Sequence, residues 1–156
     1  MKRGRIPFSI VRSLRLLTLT STVVSASSVC ANPPIGRYNV GAETVIDTKT
    51  KLVWQRTVPL ATYSWQEAKG YCAALGGSLG GTGWRVPTVK ELQTIVDDSR
   101  ADPAIDVAAF PDTPSIAFWS SSPLLGSPSY AWNVYFYTGG TYTFYVESPF
   151  AVRCVR

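Results

Sequence analysis

The sequence predicts an α+β domain: two short helices packed on a mostly antiparallel sheet, with long loops between elements. Three observations carry this. Ser64 with Glu67, and Thr88 with Glu91, form Ser/Thr-x-x-Glu capping boxes, each at the head of an apolar stripe of helical period. From Phe118 onward the chain is a succession of runs rich in aromatic and β-branched residues. Gly139-Gly140 then supplies a tight hairpin turn inside that block. Two successive helices set between an opening hairpin and a late block of strands are the order of an α+β domain rather than of alternating α/β units.

The elements follow in order. Lys2, Arg3, Arg5, Arg12 and Arg15 lead into an apolar run over residues 14–24, with small residues at 24–26 and 29–31, which is the pattern of a signal peptide over residues 1–31. The run is shorter than the ~20 apolar residues a membrane span requires. Cys30 lacks the preceding leucine and small residue of a lipoprotein signal. Asn32-Pro33-Pro34 opens an extended linker over residues 32–37, and the domain occupies 38–156. The expected location is therefore secreted or periplasmic.

Within the domain, Thr44–Asp47 and residues 52–56 flank the polar stretch 48–51 as an opening hairpin. A first helix runs from Ser64 to about Leu75, burying Ala68, Tyr71, Cys72 and Leu75, and Gly76-Gly77 ends it. Pro87 fixes the chain's entry to a second helix that buries Leu92, Ile95 and Val96 and stops near Asp97. Residues 98–116 read as a long ordered loop anchored by Ile105 and Phe110, of a kind that is often functional. Strands are expected over 118–121, 130–138, 141–147 and 151–156. A two-residue turn at Gly139-Gly140 would set Tyr137 opposite Tyr142 and Tyr135 opposite Phe144 on one side. Trp132, Val134, Phe136, Thr143 and Tyr145 would share the other. The sheet is then either covered on both faces or offers one aromatic face to a ligand.

Charge and cysteine usage narrow the function. Five of the 15 basic residues lie in the leader and none of the 10 acidic ones do, so the remainder carries ten of each. Binding of nucleic acid or another polyanion, which depends on excess basic charge, is not expected. Without the leader two cysteines remain, Cys72 and Cys154, and in an oxidising compartment they are expected to pair. A reactive thiol is the rival reading, but the chain has no histidine to activate one.

Gly76-Gly77-Ser78-Leu79-Gly80 matches the serine-hydrolase Gly-x-Ser-x-Gly, yet it follows a helix and has no histidine to serve as base. Asp97, Asp98, Asp102, Asp106 and Asp112 do not have the spacing of a calcium loop and read as solvated acids. Arg85, between Trp84 and Val86, is expected to bury its stem and aim its fork at a carboxylate, with Glu91, Asp47 or Glu67 as candidates. Arg85 and Glu91 are accordingly assigned a structural role. No catalytic residue, metal ligand or cofactor site is predicted.

Val45-Ile46-Asp47, residues 51–56, Trp65 with Ala68 and Cys72, Gly83-Trp84-Arg85-Val86-Pro87-Thr88, Glu91-Leu92, Phe118-Trp119-Ser120-Ser121-Ser122 and the closing Val152-Arg153-Cys154-Val155-Arg156 together resemble the family named for the C-terminal domain of the collagen-like adhesin Lcl, a bacterial domain. The resemblance covers about residues 45–156. It implies a fold similar to C-type lectins and to the formylglycine-generating enzyme, with the helix cysteine bonded to the terminal strand. The named adhesin binds glycosaminoglycans, but this chain has no collagen-like region and its balanced charge does not favour sulfated polymers. The sequence also lacks the Glu-Pro-Asn of calcium-dependent lectins, and Val134 follows Trp132-Asn133 where a further calcium ligand would stand.

The expected function is a non-enzymatic binding or adhesion module of the bacterial cell envelope that engages a carbohydrate or a protein surface. Tyr135, Tyr137, Tyr142 and Trp119 are the candidate ligand-binding residues, because stacking on aromatic rings needs no net charge. The alternatives are a modifying enzyme of the formylglycine-generating type acting through Cys72 or Cys154, and a purely structural envelope component.

Overall fold

The computed structural model describes residues 35–156, so the expected leader, Cys30 and the start of the expected linker lie outside the described residues. Two antiparallel three-stranded sheets and three short helices make up the fold. The first sheet has the order β1-β2-β3, from Tyr38–Val40, Thr44–Asp47 and Val53–Gln55. β2 and β3 are the expected hairpin. Asp47 closes its turn by accepting from the backbone N–H groups of Lys49 and Thr50 and from Arg37 Nη2 at 3.0 Å.

α1 spans Trp65–Ala74, and both halves of its Ser64/Glu67 capping box are formed. Where the glycines at 76 and 77 were expected to end the helix in loop, the chain makes a further helical turn, α2, over Gly76–Leu79. It stops at Gly80, whose φ of 71° suits a residue without a Cβ. α3 covers only Val89–Gln93, shorter than the periodicity predicts, with its Thr88/Glu91 box complete. Leu92 and Ile95 still reach the core, because the chain keeps turning just past the helix end.

The second sheet has the order β4-β5-β6, from Ala117–Leu124, Ser127–Tyr135 and Gly140–Tyr145. Its register corrects the sequence reading. Tyr142 pairs with Asn133 and Phe144 with Ala131, four positions from the expected partners Tyr137 and Tyr135. The cause is the turn: residues 136–139 form a longer loop closed by Gly139 N–H donating to the Tyr135 carbonyl. A slip of an even number of residues leaves every side chain on its face. Tyr135, Tyr142 and Phe144 therefore do share one side, while Tyr137 lies in the turn and Phe136 plunges into the core.

Residues 151–156, expected as a strand, run extended but pair residue by residue with three segments. Val155 bridges to Trp54 and to Arg85, and Ala151 to Phe118. The tail is thus the seam of the molecule, and Cys154 on it is bonded to Cys72 of α1, with Cα atoms 5.5 Å apart. Both sulfurs sit in a cluster with Trp84, Trp119, Ala131 and Val152, on one side of the second sheet. On its other side Phe118, Val134 and Phe136 join Leu92, Ile95, Ile105 and Phe110. The 98–116 loop is anchored as expected, with Ile105 and Phe110 fully buried.

Arg153 joins the loop to the first sheet. Fully buried, it donates to the carbonyls of Gln55 and Arg56 and to Thr113 Oγ1 at 2.7, 2.5 and 2.7 Å, and lies 4.8 Å from the Phe110 ring centroid. Burial pulls its guanidinium down to about 9, which leaves it charged at neutral pH.

Candidate functional site

The face of the second sheet that carries Ala131, Asn133 and Tyr135 is covered only in part by the disulfide cluster. Beyond the cover lies a groove of about 490 Å³, within the range of small-ligand sites. Ala117 contributes from β4, Asn133 and Tyr135 from β5, Tyr142 and Phe144 from β6, and Phe150 from the approach to the tail. Ile116 and Pro149 complete a lining that contains no charged residue among the described residues.

Each ring has a local reason for its place. Alternation along β5 and β6 puts Tyr135, Tyr142 and Phe144 on this face. Gly140 lets the Tyr142 ring fold back along the strand, since a Cβ there would lie 3.0 Å from the tyrosine ring and from its hydroxyl. Tyr135 and Tyr142 meet edge to face at 6.4 Å, and Phe144 meets Phe150 in the same manner at 5.0 Å. Tyr142 and Phe144 remain 50% and 43% exposed, so the groove has an open aromatic rim.

At the inner end of this surface is Asn133, fully buried between Trp119 of β4 and Tyr142 of β6 in the strand register. Neither its Nδ2 nor its Oδ1 has a hydrogen-bond partner among the described residues. The sequence reading missed it. Its signal was an asparagine at an inward position of a strand, flanked on that face by Ala131 and Tyr135.

The expected ligand-binding set is therefore brought together only in part. Tyr135 and Tyr142 line the groove. Tyr137, 45% exposed, stands in the turn with its ring 5.9 Å from that of Tyr135 and does not line it. Trp119 is a correction: it is fully buried, its Nε1 donates to the Tyr63 carbonyl at 2.8 Å, and its ring packs 4.9 Å from Phe150. It supports a groove wall and presents no surface to a ligand.

Arg85 and Glu91 lie outside the groove and form a two-pronged ion pair, with both contacts at 2.7 Å. Glu91 Oε2 also accepts from the Thr88 N–H and hydroxyl. The Arg85 fork, with these Thr88 contacts, holds the Glu91 carboxyl down at about 2. Asp47, another candidate partner for Arg85, is paired with Arg37 instead.

Asp97 accepts from Ser99 and Arg100, and no group of three or more His, Cys, Asp or Glu side chains is placed to hold a metal ion among the described residues. Ser78 of the Gly-x-Ser-x-Gly stretch lies in α2 and donates to the Leu75 carbonyl. No helix among the described residues is long and apolar enough to cross a membrane.

The sequence model of the Lcl C-terminal domain matches residues 43–156, nearly all that is described here, and the chain belongs to that family. No curated protein matches the chain.

Proposed function

We propose that this member of the Lcl C-terminal domain family is a secreted or periplasmic, non-enzymatic binding module that takes a carbohydrate or a protein surface into the aromatic groove of its second sheet. One observation carries the reading: a concave, uncharged surface of about 490 Å³ bounded by Tyr135, Tyr142, Phe144 and Phe150. Aromatic rings of this kind offer faces to the C–H groups of a sugar or to apolar side chains. The absence of charge in the lining favours neutral ligands over sulfated ones.

Export is supported by the leader-like N-terminus and by the Cys72–Cys154 bond, since such bonds persist in oxidising compartments. A modifying enzyme of the formylglycine-generating type would need a reactive thiol. Both cysteines are fully buried and bonded to each other.

The test is an array of neutral glycans and immobilised proteins probed with the purified chain, and with a variant carrying Tyr135→Ala and Tyr142→Ala. Two lost ring contacts should weaken binding roughly tenfold or more. An empty array, or binding undiminished in a folded double variant, would overturn the assignment of this groove.

A further inference from the structure

The groove holds one carboxamide, and it is unpaired among the described residues. Asn133 has a donor in Nδ2 and an acceptor in Oδ1, both shielded from water and both without a partner among the described residues. Natural folds leave few such groups, and each calls for a physical explanation. Trp119 and Tyr142, its neighbours across the strands, face the same side, yet Trp119 Nε1 is already taken by the Tyr63 carbonyl. The carboxamide thus costs the fold stability and returns nothing to it.

We propose that Asn133 is the specificity-determining residue of the groove and that it reads the acetamido group of an N-acetylated amino sugar. This rests on the groove being the ligand surface. Nδ2 donates to the acetamido carbonyl, Oδ1 accepts from the neighbouring ring hydroxyl, the acetamido methyl lies against the apolar lining, and the ring's C–H face meets Tyr142. Three observations select this ligand. The lining has no charge, so the ligand is neutral.

Asn133 is fully buried, so only a group that projects from its parent reaches it. An extended peptide backbone, flanked by its own side chains, lies too flat. A carboxamide also presents donor and acceptor side by side. A lone trans amide, such as that of an acetylated lysine, carries its own N–H and carbonyl on opposite sides and satisfies only one of them.

Entry requires a rim ring to move. Tyr142 is the one placed for it, because it is half exposed and rests over Gly140, which has no side chain.

The experiment is calorimetric titration of the full chain with three probes: a trimer of N-acetylglucosamine, the corresponding glucose trimer with hydroxyls in place of the acetamido groups, and a peptide bearing acetyl-lysine. The acetylated trimer should bind at least tenfold tighter than either of the others. Asn133→Leu, of similar shape, should reduce it to the level of the glucose trimer while raising the melting temperature. Equal affinity for the two trimers, an acetyl-lysine peptide that binds as well as the sugar, or no measurable binding of the acetylated trimer would overturn the proposal, as would undiminished binding by Asn133→Leu. Because the comparison of trimers uses the unaltered protein, it stands even if the variant does not fold. Array ligands without an acetamido group that depend on Tyr135 and Tyr142 would defeat this inference and leave the groove assignment intact. Array binding that ignores both tyrosines would defeat both.

Discussion

The Arg85 corner and the Asn133 groove both hold polar side chains, one pair at the surface and one amide in the interior, and they treat them in opposite ways. In the corner the Arg85 fork meets both oxygens of Glu91, and Glu91 in turn closes the cap of α3. In the groove a carboxamide is buried with neither atom paired among the described residues. A paired, half-exposed group contributes modestly to stability, whereas a buried and unpaired one carries its full desolvation cost. The corner's polar atoms are therefore committed to the fold. Those of the groove are still available to the ligand we propose.

The committed side is broken most severely at the disulfide beside it. Cys154 lies next to Val155, which pairs with Arg85, and its bond to Cys72 spans a sequence separation of 82. Replacing both cysteines by alanine should lower unfolding stability by about 4 kcal/mol on the chain-entropy account. Urea unfolding of both proteins measures it. A loss under about 1 kcal/mol would mean that the tail is held in place by its backbone pairing alone.

The groove should respond in the other direction. Asn133→Leu removes two unpaired polar atoms and fills the same space, so stability should rise by about 1–3 kcal/mol. The same denaturation series reads it. A drop instead would show that Asn133 serves the fold as Arg85 does, and the contrast between the two regions would collapse.

How far each region was legible follows from where its partners lie in the chain. The corner could be read because its contacts are local: Thr88 to Glu91 is three residues, Arg85 to Glu91 is six. The capping boxes were legible for the same reason. The groove depends on the β5–β6 register, which is set by a turn whose length Gly139-Gly140 did not disclose. Gly139 does take a φ of 82°, but inside a longer loop.

The shared face of Tyr135, Tyr142 and Phe144 survived that error only because the slip was even. Trp119 was misplaced because its indole N–H finds an acceptor 56 residues away, a partner that no local pattern reveals. Phe150 is held at the groove by its backbone bridge to Tyr63, again a partner from a distant part of the chain. Asn133 was visible as a polar residue at an inward strand position, but its lack of a partner is a property of the folded state.

The smallest expected effect separates the two regions by pH. The Glu91 carboxyl sits at about 2 in the folded chain against an ordinary 4.5, so its ionised form is favoured by folding. Its contribution is therefore fully present above about pH 4.5 and is lost as the pH falls from there to about 2. The Arg85 side chain is 46% exposed, so solvent screens the pair and the whole contribution should not exceed about 1 kcal/mol. Glu91→Gln keeps an oxygen for the Thr88 N–H and removes the charge. The stability gap between the natural chain and this variant should hold from pH 5 to 7, shrink on acidification, and narrow in high salt. The gap between the natural chain and Asn133→Leu should not change over the same range, because a carboxamide does not titrate. If the Glu91→Gln gap were flat in pH, the ion pair would contribute nothing beyond the cap. If the Asn133→Leu gap tracked pH, the groove would hold a titrating partner for the amide, and the amide would not be free for a ligand.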